Sequence, residues 1–221
     1  METKKKSTET LELYSASTPN GIKVAACLEE LRLLDGEKLG YEECTVDIQN
    51  AGQTADAYLD LNPNGKIPTL VDPEKGVIQF ESGAILLYLA EKYSALLPAD
   101  AVQRTETICW LMWSSTGLSN QVKQFGFYYK SCQHSIPYCV NRFATEIKRL
   151  LAVLERHLSD NRTYIVGGKK YLSMCLFGFR FLTSVFGLQT STRSLTSAPG
   201  PGSMRYFTTV VLSLSRRSLE A

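Results

Sequence analysis

Two dipeptides of this 221-residue sequence, Ile67-Pro68 and Glu81-Ser82, carry groups suited to holding a peptide or an amino acid. A proline at the head of a strand cannot donate to a sheet, so the strand is an edge or its open backbone faces a ligand; a cis Ile67-Pro68 bond would present that backbone outward. Helix amides behind Glu81 suit a ligand carboxylate, while the Glu81 carboxylate suits a ligand amine. Together they fit a peptide with a zwitterionic end, although each alone is also typical of an ordinary edge-strand proline or N-cap serine.

The stretch from Asn62 to Tyr93 must position both dipeptides, and its pattern predicts a β-hairpin followed by a buried helix. Turn residues bracket a first strand at Ile67 to Val71, and a second strand at Val77 to Phe80 follows after a gap of hairpin length. Residues 84–90 are apolar on nearly all sides, which is typical of a helix buried between a sheet and another layer. Ser82 is therefore predicted to stand at the buried start of that helix.

The preceding segment adds a strand, a helix and a second strand. Leu11 to Tyr14 alternates like a strand, residues 22–34 have helical spacing, and residues 44–48 alternate again. Asp56 to Leu61 reads as a short helix. This order predicts a thioredoxin-like α/β domain in which a right-handed crossover makes the first two strands parallel. Thioredoxin's own chemistry is excluded because the sequence has no CxxC pair.

The pattern becomes purely helical after a connector at 94–100. An apolar stripe of helical spacing runs from Ala101 to about Tyr129. Pro137 begins a second long helix that is predicted to end near 159–161. Two long antiparallel helices indicate an all-α second domain.

The KIP strand followed by FESGAILLYLAEKY, together with TPNG upstream, resembles the glutathione site of cytosolic glutathione transferases. The combination is similar to the nu class and to the fungal nitrogen-regulator-like relatives, and it covers roughly Leu11 to Lys169. The resemblance implies a thioredoxin-like glutathione-binding domain at 11–94, an all-α domain at 101–190, and a homodimer.

The resemblance also implies glutathione as co-substrate of a detoxification enzyme that reduces small disulfides and conjugates electrophiles. A non-catalytic glutathione-binding regulatory protein is the alternative. The sequence contains no Asn/Gln-rich stretch like that of the nitrogen regulator, which favours an enzyme.

Particular residues acquire roles from the resemblance. The backbone of Ile67 would pair with the cysteinyl part of glutathione, Glu81 and Ser82 would hold its γ-glutamyl end, and Lys66 would meet its glycyl carboxylate. Arg142 would reach the tripeptide from the helical domain, with a solvated helix-face charge as the alternative. The implied glutathione-binding residues are Gln53, Lys66, Ile67, Pro68, Glu81, Ser82 and Arg142.

The turn between the first strand and the first helix would activate the thiol. A cysteine thiol has a reference pKa of about 8.5, so little of it is thiolate at neutral pH. Hydrogen bonds to a charged group contribute about 1.5 to 3 kcal/mol each and would lower the thiol pKa towards neutrality. The nu-class resemblance implies Thr18 and Asn20 as donors, theta-like transferases imply Ser17, and the choice stays open. Each is also an ordinary turn residue, and Tyr14 lies too early in the strand to match.

The composition argues against several classes of binding partner. A net charge of +2, from 24 basic and 22 acidic residues, predicts neither nucleic-acid nor membrane binding. No apolar run is long enough to span a membrane and no signal peptide is evident, which predicts a cytoplasmic protein. The six cysteines and two histidines lack zinc spacing, so no metal site is expected.

The two ends of the sequence differ from the middle. Residues 1–10 are predicted to be a disordered tail. After Gly168 the family's capped helix and its Arg-rich final helix have no counterpart, and residues 191–221 are rich in Ser, Thr and Arg without helical period. We interpret 191–221 as an atypical, partly disordered tail that arose from a shifted reading frame or a retained intron. Sequencing the transcript across Lys169 tests this.

Overall fold

A computed structural model describes residues 10–36, 38–160 and 164–167. The chain divides into two compact units, Met1–Pro98 (unit 1) and Ala99–Ala221 (unit 2). The predicted tails, up to residue 9 and at 191–221, and the sequence from 168 to 190 lie outside the described residues.

Unit 1 contains a four-stranded mixed sheet and three α-helices. The strands have the order β2-β1-β3-β4; β1 runs parallel to β2, and β3 is antiparallel to both β1 and β4. The predicted thioredoxin-like fold is thereby confirmed. In chain order the elements are β1 (Leu11–Ser15), α1 (Pro19–Leu34), β2 (Tyr41–Thr45), α2 (Asp56–Leu59), β3 (Thr69–Asp72), β4 (Val77–Phe80) and α3 (Ser82–Lys92).

The core of unit 1 lies where α1 and α3 meet the central strands. Alternate residues of β1 are fully buried because successive strand side chains point to opposite faces of a sheet. Buried apolar residues of α1 and α3 recur at helical spacing, which gives each helix one face that packs inward. The core side chains include Leu11, Leu13, Val24, Leu28, Leu31, Leu70, Ile85, Leu86 and Leu89.

The predicted second strand is shifted towards the C-terminus relative to the observed one. β2 ends at Thr45 rather than near Ile48, because Asp47 turns the chain. Its carboxylate accepts the backbone N–H groups of Gln49 and Asn50, at 3.1 and 3.2 Å, which would not be possible in an extended strand.

The edge-strand interpretation of Pro68 is wrong. β3 lies between β1 and β4, so it is an internal strand. Pro68 is tolerated because the strand begins one residue later, at Thr69, and the missing N–H is not needed in the ladder. For the same reason the strand is two residues shorter at its start than predicted.

Unit 2 is helical throughout its described regular structure. The predicted stripe from Ala101 forms a continuous helical path to Ser131, interrupted by two stretches of wider π-helical turns at Trp113–Leu118 and Phe127–Ser131. The α-helical parts are α4 (Ala101–Met112) and α5 (Ser119–Gly126). The next helix, α6 (Pro137–His157), begins at the predicted proline and ends two residues before the predicted range.

α5 and α6 share the larger apolar cluster of unit 2. It unites Leu118, Val122 and Phe125 with residues that recur every three or four positions along α6: Ala144, Ile147, Leu150 and Leu151. No helix within the described ranges has the length and apolar character needed to cross a membrane.

Candidate functional site

The sheet topology brings four separate segments of unit 1 to one end of the sheet. Tyr14, near the end of β1, pairs with Thr69 at the start of β3, and Thr69 also pairs with Phe80 at the end of β4. Ser15 pairs with Thr45 at the end of β2. The α1 turn, the loop after β2, Ile67-Pro68 and Glu81-Ser82 therefore all emerge at this sheet end, although up to 65 residues separate them in sequence.

The backbone of Ile67 is open at this sheet end. The Ile67-Pro68 bond is cis. Pro68 is buried, whereas Ile67 is partly exposed, and the ladder bonds begin only at Thr69. Within the described part of the chain, neither the N–H nor the C=O of Ile67 has a hydrogen-bond partner. One donor and one acceptor are thus available to an extended peptide.

A buried polar cluster, which sequence reasoning missed, lies directly behind Ile67. The side chains of Tyr58, Asn62 and Thr69 are hydrogen-bonded to one another or to the carbonyl oxygen of Lys66. All three are almost completely buried. The Asn-Pro pair at 62–63 is a turn signal that could have drawn attention to Asn62, but no local pattern marks Tyr58.

Glu81 occupies the N-cap position of α3, and Ser82 is the first helical residue rather than the cap. Glu81 has φ of 66° and ψ of 112°, a region that non-glycine residues rarely adopt. Its carboxylate is exposed and accepts a weak hydrogen bond from Asn64 Nδ2 at 3.4 Å. Ser82 is only 6% exposed. A strained cap thus places a carboxylate beside the free amides of a helix start, as a zwitterion would require.

The turn before α1 contains the three candidate thiol-activating residues. Thr18 caps α1: its Oγ1 accepts the Gly21 N–H at 3.3 Å, which leaves the hydroxyl proton free to be donated. Ser17 and Asn20 are exposed, and their side chains make no hydrogen bonds to other described residues. All three groups lie at the same sheet end as Ile67, and the geometry does not choose among them.

Gly21 allows α1 to begin so close to the sheet. A Cβ atom at this position would lie 2.2 Å from Ser15 Oγ and 2.4 Å from the Ala16 carbonyl oxygen. Contacts that short do not occur for real side chains, and one of the two atoms belongs to the backbone. The glycine of TPNG is therefore needed for packing, in addition to any role of its neighbours in binding.

The Tyr14 hydroxyl is hydrogen-bonded within its own strand. It donates to Glu12 Oε2 at 2.8 Å. Burial raises the pKa of the Tyr14 phenol well above its usual value, and the adjacent Glu12 carboxylate raises it further. Tyr14 thus remains protonated, and its hydroxyl is paired with Glu12 rather than with a group of the turn before α1.

Gln53 carries an unused buried acceptor. Its Oε1 is shielded from solvent, yet within the described residues it has no hydrogen-bond partner. The surrounding loop is tightly closed, since the Gly52 N–H donates to the Asp47 carbonyl oxygen at 2.8 Å and a Cβ at Gly52 would lie 2.9 Å from that oxygen. A buried acceptor without a donor costs free energy, so a ligand donor would relieve it.

The two predicted cations belong to different units. Lys66 is exposed in unit 1, and among the described residues its ammonium group has no ion-pair partner. Arg142 is exposed near the start of α6 in unit 2, as a solvated helix-face charge would be. Its predicted contact with the tripeptide stays a prediction. Among the described residues, no group of three or more His, Cys, Asp or Glu side chains could hold a metal ion.

Known proteins are similar to this chain in both sequence and fold. The family model "Glutathione S-transferase, N-terminal domain" matches residues 13–97. The chain is 41% identical over 163 residues to "Disulfide-bond oxidoreductase YghU" of Escherichia coli, a match that covers 73% of this chain and 56% of that protein. It is 38% identical over 166 residues to "Disulfide-bond oxidoreductase YfcG" of the same bacterium, covering 73% of this chain and 74% of that protein.

A solved structure extends the similarity. A glutathione transferase from Pseudomonas putida, with one glutathione disulfide bound per subunit, matches with a TM-score of 0.77 and 33% identity. That match covers 94% of this chain and 87% of the Pseudomonas chain. The chain therefore spans little more than half of YghU, but about three quarters of YfcG and most of the Pseudomonas protein.

Proposed function

The chain belongs to the glutathione S-transferase family, and from this premise we propose that it binds glutathione at the sheet end of unit 1. The bound thiolate would reduce small disulfides and, more weakly, conjugate electrophiles. Two relatives are named disulfide-bond oxidoreductases, and the Pseudomonas relative was solved with glutathione disulfide. Both observations favour disulfide reduction as the main reaction.

The observation that carries this proposal is the open backbone of Ile67. Backbone N–H and C=O groups that are shielded from water seldom lack hydrogen-bond partners, because each unpaired group costs free energy. Both groups of Ile67 lack a partner among the described residues. An extended dipeptide unit supplies one acceptor and one donor at matching spacing. The cysteinyl residue of glutathione would fill both positions, as the family resemblance implies.

The ends of the tripeptide would find complementary charges. The γ-glutamyl end carries an ammonium group for Glu81 and a carboxylate for the amides at the start of α3, including that of Ser82. The exposed ammonium of Lys66 would meet the glycyl carboxylate. The unpaired Oε1 of Gln53 would accept an N–H of the peptide, and Arg142 would add a cation from unit 2.

The thiol would be held as thiolate by the α1 turn. Thr18 and Asn20 are the donors that we favour, with Ser17 as the alternative. The thiolate attacks one sulfur of the small disulfide, forms a mixed disulfide and releases one thiolate, which takes up a proton. A second glutathione thiolate then attacks the mixed disulfide and releases the other thiol. Two glutathiones are oxidised to glutathione disulfide while one small disulfide is reduced to two thiols.

We assign the chain, more finely, to the nu class, as a cytoplasmic homodimer with a role in detoxification. The TPNG turn supports the nu-class part of this assignment. Because the turn contains no cysteine, we do not expect a mixed disulfide between glutathione and the protein itself. Size-exclusion chromatography with light scattering would test the dimer, and a monomer that remains fully active would contradict it.

The test is a pair of assays with purified full-length protein and glutathione. We expect turnover of hydroxyethyl disulfide and a slower reaction with a chloronitrobenzene. Heat-inactivated protein serves as the control for the uncatalysed reactions. Binding of glutathione without turnover of either substrate would instead support the alternative, a non-catalytic glutathione-binding regulatory protein.

A further inference from the structure

The polar cluster behind Ile67 forms a closed ring of four hydrogen bonds. Tyr58 Oη lies 2.9 Å from the Lys66 carbonyl oxygen and 2.9 Å from Thr69 Oγ1. Asn62 Nδ2 lies 2.6 Å from the same carbonyl oxygen and 3.1 Å from the same hydroxyl. We call this set, Tyr58, Asn62, Thr69 and the Lys66 carbonyl, the β3 ring.

The chemistry of the groups fixes every direction in the β3 ring. The Lys66 carbonyl oxygen accepts only, so both Tyr58 and Asn62 must donate to it. Tyr58 has then used its one proton, which means that Thr69 donates to Tyr58. Asn62 supplies the bond that Thr69 accepts, and its own Oδ1 accepts the Asn64 N–H at 2.9 Å. No donor in the ring is left over.

The ring determines where Ile67 points. Lys66 C=O and Ile67 N–H belong to one planar trans peptide unit, in which the two groups point in opposite directions. Because the carbonyl is held inward by two buried donors, the Ile67 N–H must point away from the ring. This explains why the Ile67 N–H has no partner among the described residues, and why it remains available to a ligand.

We propose that Tyr58, Asn62 and Thr69 are positioning residues for glutathione, which act by locking the Lys66–Ile67 peptide plane so that the Ile67 backbone faces the cysteinyl residue. This role rests on the proposed glutathione binding. None of the three side chains touches the ligand in this account. Their contribution is preorganisation, since a peptide plane that rotates freely must lose that freedom when the ligand binds.

The first test compares Tyr58→Phe and Thr69→Val with wild type. Each variant removes one hydroxyl and keeps the side-chain shape, so each opens the ring. Calorimetric titration should show glutathione binding weakened by about three- to tenfold, the range expected for one hydrogen bond. The turnover number with hydroxyethyl disulfide at saturating glutathione should stay within about twofold of wild type, because the thiol-activating turn is untouched.

Tyr88→Phe is the matched control. The Tyr88 hydroxyl donates to Asp72 Oδ2 at 2.6 Å, at the opposite end of β3 from Thr69. Its loss should lower the melting temperature much as Tyr58→Phe does but leave glutathione affinity unchanged. If Tyr58→Phe and Thr69→Val bind glutathione as tightly as wild type, or if Tyr88→Phe weakens binding equally, the positioning role is wrong.

A modified ligand provides the second test. A glutathione analogue with a thioamide in place of its cysteinyl–glycine amide accepts only weakly from the Ile67 N–H, the group that the β3 ring orients, because sulfur is a poor acceptor. Wild type should lose most of the affinity gained from that bond, whereas Tyr58→Phe should lose clearly less, because it lacks one of the two donors that hold the Lys66 carbonyl inward and thereby orient the Ile67 N–H. Equal losses in both proteins would overturn the coupling.

If wild type binds neither glutathione nor glutathione disulfide, the proposed function itself is wrong. If wild type binds and the ring variants bind equally well, only the positioning role is lost.

Discussion

At the scale of single residues, the site combines groups that local structure would not otherwise favour. Glu81 adopts a positive φ that costs free energy, and Gln53 buries an acceptor with no partner among the described residues. Such features persist only where the surrounding structure enforces them, and they concentrate at functional sites. They therefore point to the same sheet end as the motifs of the sequence.

Asn20→Ala tests thiol activation. We expect glutathione binding to be retained, because the side chain contacts only the sulfur, and turnover with hydroxyethyl disulfide to fall at least about tenfold, because a hydrogen bond to a charged group is lost. The measurement is steady-state kinetics beside a binding titration. Asn120→Ala, an exposed asparagine in α5, is the control and should change neither. Unchanged turnover in Asn20→Ala would exclude Asn20 as the donor.

Glu81 is predicted to lower the stability of the fold while it strengthens glutathione binding. Glu81→Gly relieves the positive φ and should raise the free energy of unfolding by about 1 kcal/mol, while glutathione binding falls by tenfold or more for loss of a charge-assisted bond (about 1.5 to 3 kcal/mol). Glu81→Gln separates the two effects, because it should weaken binding without the gain in stability. Urea unfolding and calorimetry measure both quantities. A Glu81→Gly protein that binds as wild type would remove Glu81 from the site.

At the scale of elements, most of unit 1 could be predicted because its patterns are local. Val77–Phe80 matches the predicted strand, and apolar spacing alone indicates the helices at Pro19–Leu34 and Ser82–Lys92. The features that the sequence does not predict depend on strand pairing and hydrogen bonds between residues that are distant in sequence. The internal place of β3 is set by pairing with β1, and the ring joins Tyr58 to residues eight and eleven positions later.

Gly21→Ala tests the contact between α1 and the sheet end. The added Cβ would meet Ser15 Oγ and the Ala16 carbonyl oxygen at 2.2 and 2.4 Å, so the backbone must shift, at a cost of about 1 to 3 kcal/mol. Urea unfolding measures the loss. Gly40→Ala is the matched control, since nothing lies within 4 Å of its added Cβ. Equal stability of the two variants would contradict the close packing described for this turn.

The other end of β3 is fixed by a buried ion pair. The Asp72 side chain is fully buried and accepts hydrogen bonds from Tyr88 and Lys92, and Lys92, 12% exposed, also contacts Glu74. Burial would raise the pKa of Asp72, but the bonds from Lys92 and Tyr88 outweigh it and hold the pKa below its usual value. Burial would lower the pKa of Lys92, but its carboxylate partners outweigh it and raise the pKa.

These shifts predict the pH dependence of stability. Asp72 contributes stability above its unfolded pKa of about 3.9, and this is lost as the pH falls through its lower folded pKa. Lys92 contributes stability below about 10.4, and this is lost as the pH rises through its higher folded pKa. The contribution of the pair should therefore be constant between these values.

Asp72→Asn should destabilise the protein at neutral pH by about 3 to 5 kcal/mol, because it leaves the Lys92 charge without its buried partner. The variant should also lose less of its free energy of unfolding than wild type as the pH falls below about 4, because it has no carboxylate at position 72 to protonate. Urea unfolding at several pH values measures both effects. Glu74→Gln, which alters the exposed partner of the same lysine, should change little. An Asp72→Asn protein with wild-type stability at pH 7 would show that the pair contributes nothing net.

At the scale of the whole molecule, the chain joins a thioredoxin-like unit to a helical unit, and the proposed ligand contacts lie mostly in the first. The family resemblance and the comparisons agree on this architecture. The family resemblance covers roughly Leu11 to Lys169, and the sequence that follows it lies outside the described residues.

Glutathione binding is tested most directly by a calorimetric titration of reduced glutathione into full-length protein whose folded state is established by cooperative thermal unfolding. We predict saturable heat of binding and, at a glutathione concentration about 100 times the Kd, a gain of about 2.7 kcal/mol in the free energy of unfolding. Folded protein that releases no heat with reduced or oxidised glutathione, and melts at the same temperature with and without them, would contradict glutathione binding at this site.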